Sequence, residues 1–450
     1  MQFCLKAVLN ALGLDVALDG EITGWSVDSR TTQLGDLFFA LRGLNHDGNL
    51  FIEDALGRGA VAAIADRPLQ AEKDKRDAVF VVRDSLAALQ QAAVWARDEW
   101  GGDVVAVTGS AGKTSTKDVI AALLAARFPV VGKTTGNLNN HVGLPLSLLR
   151  LDASARVAVL EMGMNHAGEI RDLARIARPR VGVVTNAGYA HIENFASVED
   201  VALAKRELIE ALPPDGVAVL NADDARVSRF RDVHPGPVVT FGLSVGADVR
   251  GEDVLTAEAG STFRVGGARF QTPLVGRHCV SNVLAGIAVA GVYGIPPNEL
   301  TGVVSALAPG KMRGERFTTN GILIFNDCYN SNPDAALAMI DVLRDAPVKR
   351  RIAVLGEMLE LGHWSKALHR DVGSHVARQG ISVLVGIRGE ARSMVDAAMQ
   401  EGLPGNAAFF FEDPADAGAH LRQIARQGDA ILFKGSRGTR VEKALERFLE

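Results

Sequence analysis

The chain is poor in the residues that mark several classes of protein. Its 450 residues hold three cysteines, Cys4, Cys279 and Cys328, odd in number and far apart. They make neither a disulfide framework nor a metal cluster, so a reducing, cytoplasmic setting is expected. No run of about 18 apolar residues is present to cross a bilayer, and no membrane insertion is expected. The opening MQFCLKAVLNALGL reads as an amphipathic helix, and Lys6 and Asn10 break its apolar run, which argues against a signal peptide. Charge of one sign never accumulates. The net charge is −5 with no long block, which leaves no footprint for nucleic acid or a polybasic membrane patch. Internal repeats and low-complexity tracts are missing too. What the chain has is apolar material, 47% of it, enough for several buried cores. The length suggests about three domains.

One stretch is specific. Val104 to Ser115 reads VVAVTGSAGKTS: an apolar β-type run, a turn bounded by Gly109 and Gly112, then Lys113-Thr114. This is the layout of a phosphate-binding loop. Glycine lets the backbone approach an anion, and the amides of Ser110, Ala111 and the following turn through Ser115 point at it. Lys113 would reach the β/γ-phosphates and the Thr114 hydroxyl would sit on Mg²⁺. The common template has four residues between its glycines. Here only Ser110 and Ala111 intervene, and Val107 stands where the first glycine would fall. The helix after the loop is expected over Lys117 to Phe128.

The rest alternates apolar strands with helical patterns, which predicts an α/β protein. A small mixed α/β N-terminal domain is expected over 1–100, ending in a helix from Ser85 to Trp100. A central domain with a mostly parallel sheet and the phosphate loop follows over 101–310, with strands Val104–Thr108, Arg156–Glu161, Val181–Asn186 and Val217–Asn221. A C-terminal Rossmann-like α/β domain fills 311–450. Trp100–Asp103 and Pro309–Lys311 read as hinges. Unusual polar residues fall where strands end, the place where open α/β sheets bind ligands: Glu161, Asn186 with His191 beyond it, and Asp327.

Read on residues alone, several of these have two meanings. Glu161 is a Mg²⁺ ligand or a solvated strand end. His191 is a ligand or a structural histidine, and Mg²⁺ seldom takes imidazole. Lys205 fills a gap in the stripe Val198, Val201, Leu208, Leu212 of a helix capped by Ser197. Such a lysine usually snorkels to the edge; otherwise it is buried as a neutral, reactive amine. Asn137, Asn139 and Asn140 form an amide-rich turn that suits a sugar-like or peptide-like ligand or is simply a turn rich in loop formers. Asp327 to Pro333 and Phe433 to Gly438 both close strands of the last domain; the first combines a strand-end acid with amides, the second has the look of an anion-contacting turn with two cations, and either could instead be a surface turn.

Taken together, WSVDSRTTQLGDLFFAL, TTGNLNNHVGLPLSLL, EMGMNHAGEI, TNAGYAHIENFAS, GRHCVSNVLA, NDCYNSNPDA, GEMLELG and FKGSRGTRVEK resemble the Mur ligase family, the ATP-dependent amide-bond formers of peptidoglycan synthesis. The loop Thr108 to Thr114 is similar to that family's shortened Thr-Gly-x-x-Gly-Lys-Thr pattern. The absence of an Asp-Asn-Pro-Arg stretch, with Asp327 to Pro333 in its place, resembles the member type that accepts a tripeptide. The resemblance implies ligation of D-alanyl-D-alanine to UDP-N-acetylmuramoyl-tripeptide through an acyl phosphate, by a monomer. It implies ATP contacts at the loop and at Asn282, Arg313 and Asp327. Thr114, Glu161, His191 and Lys205 would gather Mg²⁺, with Lys205 carrying a CO₂-derived carbamate and Lys113, Lys205 and His191 serving catalysis. Ser29 and Arg30 would hold the uridine diphosphate, and Asn137, Asn139 and Asn140 the muramoyl part. Asn330, Asn332 and Glu357, with the loop to Gly362, would meet the dipeptide. Another amino-acid ligase of the family, or a nucleotide-binding module without ligation, remain the alternatives.

Overall fold

The computed structural model describes residues 1–16, 20–43, 45–68, 77–257 and 259–450. Three largely parallel sheets organise the described residues. The first has four strands, in the order Gly24–Ser26, Asp36–Phe39, Ala62–Ala65 and Val79–Val81. Helix Ser85–Trp100 leads out of it, capped by the Asp84 carboxylate and stopped at Gly101 in the left-handed region.

The central sheet has seven parallel strands. From one edge they run Val249–Arg250, Val238–Gly242, Val217–Asn221, Val181–Val184, Asp103–Thr108, Val157–Glu161 and Val131–Lys133. Its sequence logic is that of a sheet covered on both faces. In VVAVT, Val104 and Ala106 join one core while Val105 and Val107 join the other. That alternation explains why Val107 could replace a template glycine: it is a buried strand residue. After Asp103–Thr108 the chain winds to one side and then crosses to the other, so the phosphate loop leaves the sheet at its switch point.

The last sheet orders its strands Glu315–Thr319, Ile322–Asp327, Asp429–Lys434, Arg350–Gly356, Val383–Ile387 and Ala408–Phe411. Only the first pairing is antiparallel. A three-stranded antiparallel sheet, Glu252–Ala257, Gly260–Val265 and Ala268–Thr272, sits beside the central one. No helix among the described residues is long and apolar enough to cross a membrane.

Candidate active site

The phosphate loop is shaped by close approaches that only glycine allows. Gly109 has φ of +152°, and a Cβ there would lie 1.9 Å from Thr185 Oγ1. Gly112 has φ of +79°, and its Cβ would lie 2.8 Å from Asn282 Oδ1. Helix Lys113–Leu124 starts directly at the lysine, four residues earlier than expected. Lys113, Thr114 and Ser115 therefore form its first turn, whose amides have no carbonyl within the helix to bond. Ser110 and Ala111 differ. Ser110 N–H donates to Asn186 O at 3.0 Å and Ala111 N–H to Asn186 Oδ1 at 2.8 Å. The amides free for an anion are thus those at the helix start, where the dipole also favours negative charge. The strand expected to reach Asn186 stops at Val184. Thr185 and Asn186 leave the ladder because both side chains bond the loop, Thr185 Oγ1 donating to Ala111 O at 2.7 Å and Asn186 Nδ2 to the same oxygen at 3.0 Å.

A cleft of about 1570 Å³ opens from this loop and runs between the central and last domains. That is room for more than one drug-sized ligand. Lys113, half-buried, donates its ammonium to Gly109 O at 2.7 Å. Burial lowers its pKa; the Glu161 carboxylate opposes that, Arg313 adds to it and Glu360 opposes it. Two of these neighbours, Arg313 and Glu360, come from the last domain, so the phosphate loop already feels both walls of the cleft. Arg313 lies over the Tyr329 ring at 3.8 Å. Asn282 accepts from Thr116 Oγ1 at 3.1 Å and lines the cleft beside Gly112.

Glu161 is 2% exposed. Its Oε1 accepts from Asn139 Nδ2 at 2.8 Å, while its buried Oε2 has no hydrogen-bond partner among the described residues. A buried, unpaired carboxylate oxygen is costly, and a cation removes that cost. Among the described residues no three acidic, histidine or cysteine side chains converge as a metal cluster. The donors at hand are Glu161 and the Thr114 hydroxyl, a set that suits Mg²⁺ completed by phosphate oxygens and water. His191 has φ of +60° and sets Nδ1 2.7 Å from Glu360 Oε2, across the domain boundary.

Lys205 does not snorkel. It is 1% exposed, on helix Val198–Glu210. Burial first, and the nearby Lys113 second, drive its pKa well below the usual lysine value. The stripe pattern pointed to the edge; the lysine instead lies buried on the same helix as the core residues Val201 and Leu208.

The other expected residues divide. Asn137, Asn139 and Asn140 line the cleft, and Asn140 Oδ1 also caps helix Gly143–Leu149 by accepting from Gly143 N–H at 2.8 Å. Asp327 and Asn330 line it as well. The two cations of Phe433 to Gly438 line the cleft, and each already has an acidic partner. Lys434, buried, donates to Asp327 Oδ2 at 2.6 Å and Asn330 O at 2.9 Å, and Arg437 pairs with Glu442 at 3.0 Å. Ser29 and Arg30 lie outside the central cleft, with Arg30 folded onto Asp28 at 2.6 Å. Glu357 turns away from the cleft, and its Oε1 accepts from Glu390 N–H at 3.0 Å; Leu359 and Glu360 line the cleft from the same loop.

Asn332 has both ends of its amide engaged. Its Oδ1 caps helix Pro333–Arg344, and its Nδ2 donates to Ser110 O at 3.2 Å in the phosphate loop. Two residues on, Asp334 went unnoticed in the sequence, where Asn-Pro-Asp reads only as a helix start. Its half-buried carboxylate accepts from Tyr189 N–H at 3.0 Å, and burial raises its pKa. A Cβ on Gly188 would lie 1.9 Å from Asp334 Oδ2. Gly188→Ala should therefore push the last domain off the loop and cost about 1–3 kcal/mol. Asp334→Ala in the same chain should recover most of that loss. A double-mutant cycle on unfolding stability checks this, and strict additivity would place the contact elsewhere.

A phosphate loop at the switch point of one α/β domain, facing a second α/β domain across a charged cleft, defines a multidomain enzyme acting on a nucleotide. Three family profiles match the chain: "Mur ligase family, catalytic domain" over residues 21–131, "Mur ligase middle domain" over 107–290 and "Mur ligase, glutamate ligase domain" over 312–437. A Bacillus subtilis relative named UDP-N-acetylmuramoyl-tripeptide–D-alanyl-D-alanine ligase is 34% identical, with 95% of this chain and 93% of that one covered. A solved structure of MurF from Acinetobacter baumannii superposes with a TM-score of 0.91 at 28% identity, covering 100% of this chain and 99% of that one. MurF ligase from Thermotoga maritima, solved in complex with ADP, gives 0.83 at 30% identity, over 95% and 97% of the two chains. The chain belongs to the Mur ligase family.

Proposed function

We propose that this protein joins D-alanyl-D-alanine to UDP-N-acetylmuramoyl-tripeptide with hydrolysis of ATP to ADP and phosphate. The observation that carries the reading is the cleft, in which Lys113 and the half-paired Glu161 meet Arg313 and Glu360 of the facing domain. In this mechanism the tripeptide carboxylate attacks the γ-phosphorus of ATP, the bond to the bridging oxygen breaks and ADP leaves. The amine of the dipeptide then adds to the acyl carbon and loses a proton, and phosphate departs with the C–O electron pair.

Lys113 offsets the charge that develops on the transferred phosphoryl oxygens, and the amides of the first helical turn orient them. Glu161 and Thr114 would hold Mg²⁺, which supplies further charge neutralisation when bound. Asn139 keeps Glu161 in place. Lys205, whose burial and neighbour Lys113 disfavour the charged form, is suited to add CO₂ and become a carbamate anion, with release of one proton. Asn282, Arg313 and Asp327 are assigned to the nucleotide, Ser29 and Arg30 to the uridine diphosphate, and Asn137, Asn139 and Asn140 to the muramoyl side. The dipeptide would enter beside Asn330 and Glu360. Asn332 is better suited to joining the two domains. The acyl phosphate needs shelter from water, which the contacts of Asn332 and Asp334 across the cleft supply. Free thiols and nucleotide-linked substrates suit the cytoplasm, and a cleft built from one chain suits a monomer.

Phosphate release tests the reading. Turnover should require ATP, the UDP-tripeptide and the dipeptide together. Equal phosphate release without either acceptor would reduce the protein to a bare nucleotidase, and turnover with a single amino acid in place of the dipeptide would assign another ligase activity.

A further inference from the structure

The loop that brings Glu360 to His191 is hung on a fully buried histidine. His369, on helix Ser365–Arg378, is 0% exposed. Its Nε2 accepts from Met358 N–H at 2.9 Å, and its Nδ1 lies 2.7 Å from Ser365 O. One arrangement satisfies both contacts. Nδ1 carries the proton and donates to the carbonyl, and Nε2 is a bare acceptor, so the ring is neutral. The next amide, Leu359 N–H, is held by Ser436 Oγ at 2.9 Å, and the preceding carboxylate, Glu357, by Glu390 N–H at 3.0 Å. Glu360 then turns through φ of +65°. Its carbonyl accepts from Glu193 N–H at 3.2 Å, and its carboxylate meets His191.

We propose that His369 is a positioning residue for ligation: its neutral ring fixes the Met358 amide and thereby sets the loop Met358 to Gly362 against the central domain. The catalytic part of this statement rests on the proposed ligase reading; the anchoring of the loop does not. Of the three polar anchors, the Ser436 hydroxyl accepts here while donating to Ser331 O at 3.2 Å, whereas protonation would turn His369 Nε2 from acceptor to donor. Protonation would put an N–H against the Met358 N–H. Burial lowers its pKa, while the Ser365 carbonyl and the facing carboxylates Glu357 and Glu390 oppose that shift. The neutral ring therefore persists below the ordinary histidine value of about 6.5, and the loop loosens only at more acid pH.

Two variants separate this from simple packing. His369→Gln keeps an acceptor near the Nε2 position, and His369→Phe fills the space without one. In the apo protein, hydrogen–deuterium exchange of the loop peptide should rise at least tenfold in the Phe variant and stay within about threefold of wild type in the Gln variant. With substrates, kcat/KM for the dipeptide should fall at least tenfold in the Phe variant, with ADP affinity unchanged, and recover in the Gln variant. The wild type should show an acid limb that His369→Gln lacks. Equal exchange in both variants overturns the anchor. A loosened loop with undiminished kcat/KM overturns the positioning role. If the Phe variant does not fold, the acid limb decides, and its persistence in the Gln variant overturns the proposal. A wild type without ligation would sink the ligase reading, while the exchange result would still test the anchor.

Discussion

Lys113→Ala is expected to lower ligation by about 10²–10³-fold or more, because one preorganised cation at the transferring phosphoryl group is removed. The fold should survive. Among the described residues the half-buried ammonium donates to a carbonyl of its own loop, Gly109 O at 2.7 Å, and burial already acts against its charged form. Removing it takes a destabilised charge out of the cleft, so the unfolding midpoint should stay level or rise slightly. Loss of phosphate release with an unchanged midpoint is the expected pair of results. Residual turnover within tenfold of wild type would show that the loop does not carry the chemistry assigned to it. Arg313 provides the contrast. It reaches the same neighbourhood from the last domain and stacks on Tyr329, so its loss should weaken nucleotide binding more than the chemical step.

The central strands were legible because a parallel sheet covered on both faces writes a nearly continuous apolar run, as in Val104–Thr108 and Val217–Asn221. Helix Val198–Glu210 was legible from its Ser197 cap, whose hydroxyl accepts from Asp200 N–H at 3.2 Å. The antiparallel strands Glu252–Ala257, Gly260–Val265 and Ala268–Thr272 were not. Glu252–Ala257 alternates half-buried and exposed residues, with charges among them, and reads like loop. Strand Val131–Lys133 is too short to leave a pattern. At the site, Lys113, Thr114, Glu161 and Lys205 could be named because each sits at a recognisable place in a local element. Asp334, and the use of Asn186 and Asn332, could not. Their roles lie in bonds to backbone far away in sequence, and the same residue types cap helices and close turns everywhere. Lys205 lay between these cases: the stripe revealed its face of the helix but not how deeply that face is covered.

Lys205 carries the other large effect. Its pKa is held well below the usual 10.5 by burial and by Lys113. The unfolded chain then binds a proton that the folded protein resists. Stability should rise with pH from the folded-state pKa up to about 10.5, by about 1.4 kcal/mol for each pH unit in that window. Lys205→Met keeps the volume without the amine, so in CO₂-free buffer its stability should lose that slope and exceed wild type near neutral pH. Ligation should nonetheless fall by about 10²-fold or more, since the anion meant to arise at this amine would balance charge beside the phosphoryl group. Lys205→Ala should fall as far but leave a cavity, and formate or acetate should restore part of its rate. The same salts should do nothing for Lys205→Met, where the cavity is filled. Incubating the wild type with ¹³C-bicarbonate should yield a protein-bound carbamate signal that both variants lack. Rescue confined to the alanine variant, together with that signal, would establish a buried lysine held neutral for CO₂. Undiminished turnover in Lys205→Met would mean that the buried amine has no part in the reaction and that burial alone accounts for its depressed pKa.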